Sequence, residues 1–276
     1  MKPFSYIAAV LFLLYFSACK EVNTLPTSVG VDTTKTQQQQ NVLIEDITGV
    51  RCVNCPQGNA IIDSLISTYS GRVEAIGIHS GMYSLPYQVY NDTFATAQSN
   101  ALANYLDIGN PGTFPEGCVN QKLFNGQSAI LIDRSLWAGL ALQELLDTIK
   151  VNISVSNNYN SSTRSLGVTV TVNYLSTVTS PQKLNVVITE SNIVSPQLTP
   201  DGLDSTYVHN HVFREALSNP TGDIITTPTI AGSQFSKTYS FTLPSEWNAK
   251  NCRVVAFVCD NGTDLNVIQV SGANVQ

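Results

Sequence analysis

Val42-Leu43-Ile44-Glu45-Asp46-Ile47-Thr48-Gly49-Val50-Arg51-Cys52-Val53-Asn54-Cys55-Pro56 is the stretch from which the rest of the chain is read. Its apolar opening predicts a buried strand that ends at Thr48-Gly49. Beyond Pro56, Ile61, Ile62, Leu65, Ile66 and Tyr69 recur at helical spacing. A Cys-x-x-Cys between a strand and a helix is the setting in which this motif carries redox chemistry. Two intervening residues let both sulfurs meet at the first turn of the helix. Unsatisfied N–H groups and the helix dipole stabilise a thiolate there and lower the pKa of Cys52. Arg51 adds a neighbouring positive charge. Pro56 is harmless in a first turn, because no intrahelical acceptor waits for the N–H it lacks.

Downstream of a break at Gly71, residues 73–79 predict a second strand, with His79 at its carboxyl end. His79 then lies at the same sheet edge as the Cys52 turn, where it either tunes the thiolate or is a hydrogen-bonded loop histidine. Phe94, Ala97, Ala101, Leu102, Tyr105 and Leu106 mark a second helix, with Asn91 or Asp92 available as its cap. A loop rich in Pro and Gly follows at 109–120, then a closing helix around 135–148. This order of elements resembles a thioredoxin fold. The resemblance implies a cis-proline beside the cysteines, just before a strand. Pro115 is the first candidate, since Phe114 precedes it and Val119 opens an extended stretch; Pro111 is the alternative. Such a proline has no N–H to compete for a thiolate, and its neighbour offers backbone groups to a substrate strand. The resemblance also implies a buried acid six residues before the first cysteine. Asp46 stands at that spacing with Glu45 beside it, and alternation puts the two on opposite sheet faces. Asp46 is then a proton shuttle for Cys55 or a strand-end carboxylate. Val53-Asn54 between the cysteines is not Gly-Pro, and no Trp precedes Cys52, which departs from working thioredoxins.

Thr48 through Gly58, together with Ile78-His79-Ser80-Gly81 and Tyr207-Val208-His209-Asn210-His211-Val212-Phe213-Arg214, resembles the thioredoxin-like outer-membrane lipoproteins of Bacteroidetes. That family is named for a twenty-eight-kilodalton outer membrane protein. The resemblance covers nearly the whole mature chain and implies a location and a fold more than an activity.

From about residue 151 the pattern changes to period two. Leu166, Val168, Val170, Val172 and Tyr174 alternate with Gly167, Thr169, Thr171 and Asn173, the mark of a half-buried strand. Residues 151–155, 184–190, 235–243, 253–258 and 265–270 read similarly, as does the segment 207–213. Gly, Pro, Asn and Asp punctuate the gaps. The fold class expected is an α/β thioredoxin-like domain, 41–150, followed by an all-β immunoglobulin-like sandwich domain, 151–276. His209 and His211 would project from one strand face, as a metal chelate requires, but no third ligand is visible; structural hydrogen bonds are the preferred reading, and no metal or cofactor is expected. Cys118, Cys252 and Cys259 are an odd remainder. Cys252 and Cys259 would face opposite sides of one continuous strand and so not bridge.

At the other end, Lys2 and the apolar run 4–16 form a segment too short for a bilayer span of about 20 residues and right for a signal-peptide core. Phe16-Ser17-Ala18-Cys19 resembles a lipobox, implying a signal peptide over 1–18 and acylation of Cys19. Residues 19–40, with Gln37-Gln38-Gln39-Gln40, read as a tether. Charged residues are 12% of the chain and the formal net charge is −6, which argues against a nucleic-acid partner. The function expected is thiol–disulfide exchange on extracytoplasmic proteins by a membrane-anchored protein. The alternative is a non-catalytic surface binding or scaffold lipoprotein whose Cys52–Cys55 pair is a structural disulfide in an oxidising compartment.

Overall fold

Every residue of β1 (Val42–Thr48) is buried, as befits a strand covered on both faces. In the computed structural model, which describes residues 39–85, 93–106, 114–262 and 264–276, β1 lies parallel to β2 (Val73–His79), from Val42 opposite Val73 to Thr48 opposite His79. On its other side it runs antiparallel to β3 (Glu116–Val119), which carries β4 (Ile132–Asp133). The expected signal peptide, Cys19, most of the tether, the capping candidates Asn91 and Asp92, and Pro111 lie outside the described residues.

Helices cover the two faces of this sheet. Ile62 and Leu65 of α1 (Cys55–Thr68) pack with Val42 and Ile44 of β1. Leu102, Ala103 and Leu106 of α2 (Ala97–Leu106) pack on the opposite face, against Leu43, Ile47, Ile76 and Ile78. Trp137 and Ala141 of α3 (Trp137–Glu144) return to the α1 side. This last helix is shorter than the 135–148 expected from its leucines. Asp133 accepts a hydrogen bond from the Ser135 N–H and opens a 3-10 turn over Arg134–Leu136 before the α-helix begins.

The strand-rich region adds β5 (Val151–Asn160) and β6 (Ser165–Tyr174), then β7 (Gln182–Glu190). The short strands β8 (Ile193–Val194), β9 (Gln197–Thr199), β10 (Gly202–Asp204) and β11 (Val208–His209) follow. The chain then runs through β12 (Val212–Ala216), β13 (Asp223–Ile224), β14 (Gln234–Thr242), β15 (Cys252–Asp260) and β16 (Val267–Asn274). The result is mixed α/β, dominated by strands.

The sheet that begins with β1 does not stop at residue 150. Its order is β16-β15-β7-β12-β2-β1-β3-β4, with β13 paired to β7, nine strands in all. The join is parallel, Val212 of β12 opposite Gly77 of β2, and the Gly77 N–H donates to the His211 carbonyl at 2.7 Å. A separate three-stranded sheet, β14-β6-β5, covers one face of the β7–β15 region. Alternation divides the strands between two cores. Val186, Val254 and Ala256 pack with Val168, Val170 and Val172. Their neighbours Val187, Val255 and Phe257 share a cluster with Ile78 and Leu102. The change of periodicity near residue 151 therefore falls inside one compact unit, Gln38–Gln276.

Candidate functional site: the Cys52–Cys55 turn

Cys52 and Cys55 form a disulfide, with S–S 2.01 Å and Cα–Cα 5.3 Å. Their turn is built on the carboxyl end of β1. The Cys52 N–H donates to Gly49 O at 2.9 Å and the Arg51 N–H to Tyr83 O at 2.8 Å. Gly49 is required here, since a Cβ would stand 2.5 Å from the Tyr83 carbonyl. Cys55 is the first residue of α1 and Pro56 occupies its first turn. The Phe114–Pro115 peptide bond is cis. Pro115 packs against the start of α1 through Gly58, where a Cβ would meet Pro115 Cγ at 3.3 Å and the Trp137 ring at 3.2 Å.

Both acids of β1 are buried, one on each face. Asp46 shares the α1 face with Val42 and Ile44, lies opposite Gly117 in register, and has no hydrogen-bond partner on either carboxylate oxygen. Burial pushes its carboxyl up to about 8. Glu45 faces the other way, accepting from Gln121 Nε2 at 2.7 Å and from the Cys118 thiol at 3.4 Å. Burial carries its carboxyl up to about 7 against those two bonds. Cys118 is a buried free thiol, and burial beside Glu45 holds its pKa well above the usual range. Cys252 and Cys259 are also free and buried, and belong to the two different cores.

His79 ends β2, buried, with its ring edge-on to Phe94 at 5.1 Å and to His209 at 5.7 Å. Burial first, then His209, push its imidazole down to about 3, outweighing a bond with the Gly77 backbone that raises it. A ring held neutral in this way brings no positive charge to a thiolate, so charge-based tuning by His79 is not supported. His209 is likewise buried, its Nε2 3.1 Å from Ser195 O. His211 does not share a strand face with it. The backbone turns at His211, with φ of 55°, dividing the segment read as one strand into β11 and β12. The His211 ring instead lies 3.4 Å from Asp63 of α1.

Sequence reasoning missed what covers the turn. Between β7 and β12 the chain makes an excursion over residues 191–211, where β8 pairs with β11 and β9 with β10. It is seated on the cysteine turn by Leu198 N donating to Val50 O at 2.8 Å and by Gln197 Nε2 donating to Cys52 O at 2.9 Å and Gly49 O at 3.3 Å. It also meets α1, where Asn59 Nδ2 donates to the Tyr207 hydroxyl at 2.9 Å. With Gln197 and Leu198 in place Cys52 is 2% exposed and Cys55 is fully buried, while Val53 between them remains 41% exposed. No local signal could have revealed this, because Gln197 stands 145 residues from Cys52.

A disulfide-bonded Cys-x-x-Cys turn on a mixed α/β, strand-dominated scaffold defines the class of protein. The sequence profile of the outer membrane protein Omp28 family matches residues 100–276, more than half of the chain, and the chain belongs to that family. The family is one of outer membrane proteins, and no helix among the described residues is long and apolar enough to cross a membrane. Its fold is similar to that of HBP35 of Porphyromonas gingivalis, 20% identical, with a TM-score of 0.67 over 86% of this chain and 76% of that one. A crystal structure of a protein from Agrobacterium tumefaciens, 14% identical, matches with a TM-score of 0.52 over 87% of this chain and 96% of that one. A domain of the outer membrane lipoprotein Omp28 from Porphyromonas gingivalis, 19% identical over 47% of this chain and 91% of that one, gives a TM-score of only 0.32. No curated protein matches.

Proposed function

We propose that this protein carries out thiol–disulfide exchange on extracytoplasmic protein substrates, from a thioredoxin-like region joined to an immunoglobulin-like sandwich. What supports the thioredoxin-like reading is the parallel β1–β2 pair with antiparallel β3, and α1 starting at the second cysteine. The sandwich reading draws on the β14-β6-β5 sheet packed over β7 and β15. The observation that carries the exchange reading is Asp46, buried without a partner on the α1 face of the strand that runs into the cysteine turn. In the reduced protein the Cys52 thiolate attacks a substrate disulfide, forming a mixed disulfide and expelling a substrate thiolate. The ionised fraction of Asp46, a minority at neutral pH because burial raises its carboxyl to about 8, takes the proton from the Cys55 thiol. The Cys55 thiolate then attacks Cys52 Sγ, releasing the second substrate thiolate. Two electrons pass to the substrate, and an external dithiol must restore the pair.

A second reading has its own observation. Cys52 at 2% exposure under Gln197 is what a structural staple in a non-catalytic surface module requires. The reduction potential of the Cys52–Cys55 couple separates the two, measured alongside reduction of a protein disulfide. Turnover with a potential in the oxidoreductase range, from about −270 to −120 mV, supports exchange. An inert pair below about −300 mV leaves the scaffold.

The same proposal includes a signal peptide over 1–18 and acylation of Cys19, supported by the lipobox-like Phe16-Ser17-Ala18-Cys19. Palmitate should label the wild type in a globomycin-sensitive manner. A Cys19→Ala chain that still fractionates with lipid would reject this anchor.

A further inference from the structure

α3 turns Trp137, Ala141 and Leu145 into the core. A helix buried on one side ordinarily shows polar side chains on the other. Here the exposed side of the helix carries Ala138, Gly139 and Leu142 (45% exposed) with Gln143 as its polar residue, and Leu146, in the turn just past the helix, is 80% exposed. Leu123, exposed in the preceding loop, adjoins Phe124, which packs in the same cluster as Trp137 and Ala141. The charges bordering this patch are largely spent on one another, since the Lys122 ammonium lies 2.7 Å from Glu144 and 3.8 Å from Asp147.

The chain enters the fold at the same place. One nitrogen of Arg72, Nη2, donates both to the Gln40 carbonyl at 2.8 Å and to the Leu145 carbonyl at 2.5 Å. Asn41 is fixed to β16 through the Gln269 side chain at 2.9 Å and the Val270 carbonyl at 2.9 Å, and Gln269 Nε2 reaches back to Gln39 O at 3.1 Å. The residues that lead back to Cys19 therefore depart beside the carboxyl end of α3. A segment of about 20 residues cannot extend beyond ~70 Å, so an anchor at Cys19 keeps this end of the molecule near the bilayer at a high effective concentration.

We propose that the exposed leucines at the carboxyl end of α3, Leu142 and, in the turn after it, Leu146, together with exposed Leu123 next to the Lys122 that pairs with Glu144, dock on the lipid surface to which the protein is anchored. The docking rests on the acylation of Cys19 proposed above. Its occupant is lipid because the anchor brings lipid to this face. A few leucines suffice for interfacial contact with an already tethered protein, whereas a stable second copy or partner needs an interface of roughly 1,200 Å² or more.

The test uses the full acylated chain in phosphatidylethanolamine–phosphatidylglycerol vesicles doped with a phospholipid carrying a diazirine in its acyl chain. Photolabel should fall on the peptides containing Leu123, Leu142 and Leu146. Leu142→Ser with Leu146→Ser, both exposed and so compatible with folding, should lose that label at least fivefold and keep the label near Cys19. Palmitate incorporation in the same sample reports the anchor separately. An acylated chain whose label is confined to the neighbourhood of Cys19, or whose α3 cross-links to a second copy, overturns the docking and leaves the anchor standing. A chain without acyl label overturns the anchor and the docking with it.

Discussion

Asp46 carries more consequence than any other single residue of β1. Its carboxyl has an ordinary value of 3.8 and is pushed by burial to about 8. Between those values the folded protein keeps a proton that the unfolded chain has released. Stability is therefore greatest below the lower value and falls as pH rises through the upper one. Glu45, raised from 4.5 to about 7, acts in the same direction over a narrower window. A tenfold difference in proton affinity between the folded and unfolded chain corresponds to about 1.4 kcal/mol, so the two acids together make stability fall by several kcal/mol across this range. Thermal melts should show a lower Tm at pH 8 than at pH 5. Asp46→Asn should flatten that slope and raise Tm at pH 8, and an unchanged slope would mean that the carboxylate is solvated. The position of Asp46 six residues before Cys52 was legible in the sequence. That Glu45 is buried as well was not, because its cover comes from Cys118 and Gln121, more than seventy residues away.

At the scale of elements, the excursion over residues 191–211 decides what reaches the disulfide. The sequence suggested one strand around 207–213, but His211 in a left-handed conformation splits it, and β9 was not read at all. Three-residue strands such as β9 carry too little periodicity to be seen, and β9 is fixed by contacts with Val50 and Cys52 rather than by its own pattern. Gln197→Ala removes the side-chain donor from Cys52 O and Gly49 O. It should cost about 1 kcal/mol in stability, the usual worth of such bonds. It should also speed reduction of the Cys52–Cys55 bond by dithiothreitol several-fold, read by thiol alkylation and mass spectrometry. An unaltered reduction rate would mean that the excursion does not limit access.

For the whole molecule, the shared sheet and shared core set the unfolding behaviour. Phe213, Val255 and Phe257 pack in one cluster with Leu43, Ile76 and Leu102. Removing everything after residue 150 would expose that cluster and the β12-facing edge of β2. A chain ending there is expected to lack a cooperative melt in circular dichroism. The full chain should instead melt in a single transition, seen alike by the environments of Trp137 and Trp247, which sit in different cores. Two separated transitions would show that the halves fold independently. The disulfide contributes little to this balance, because it closes a loop with sequence separation 3. The chain-entropy relation gives about 2 kcal/mol for so short a loop, so the reduced protein should remain folded, with a slightly lower midpoint in urea.

The sequence alone determined the local elements with strong periodicity: β1, α1, β2 and the alternating strands such as β6. It placed α2 but not its core face, which is Ser99, Leu102, Ala103 and Leu106 while Ala97 and Ala101 are exposed. It also determined the cysteine turn and the polar, weakly charged character of an exported chain. These follow from side-chain spacing within a dozen residues, where helix and strand periods differ plainly. Only the tertiary structure decided that β12 lies beside β2, that Gln197 rests on Cys52, and that Leu142 and Leu146 stay uncovered. Each of these depends on pairing between segments far apart in the chain, and backbone hydrogen bonding between strands is nearly indifferent to which residues it joins. The choice of neighbour is made by the packing of the whole core.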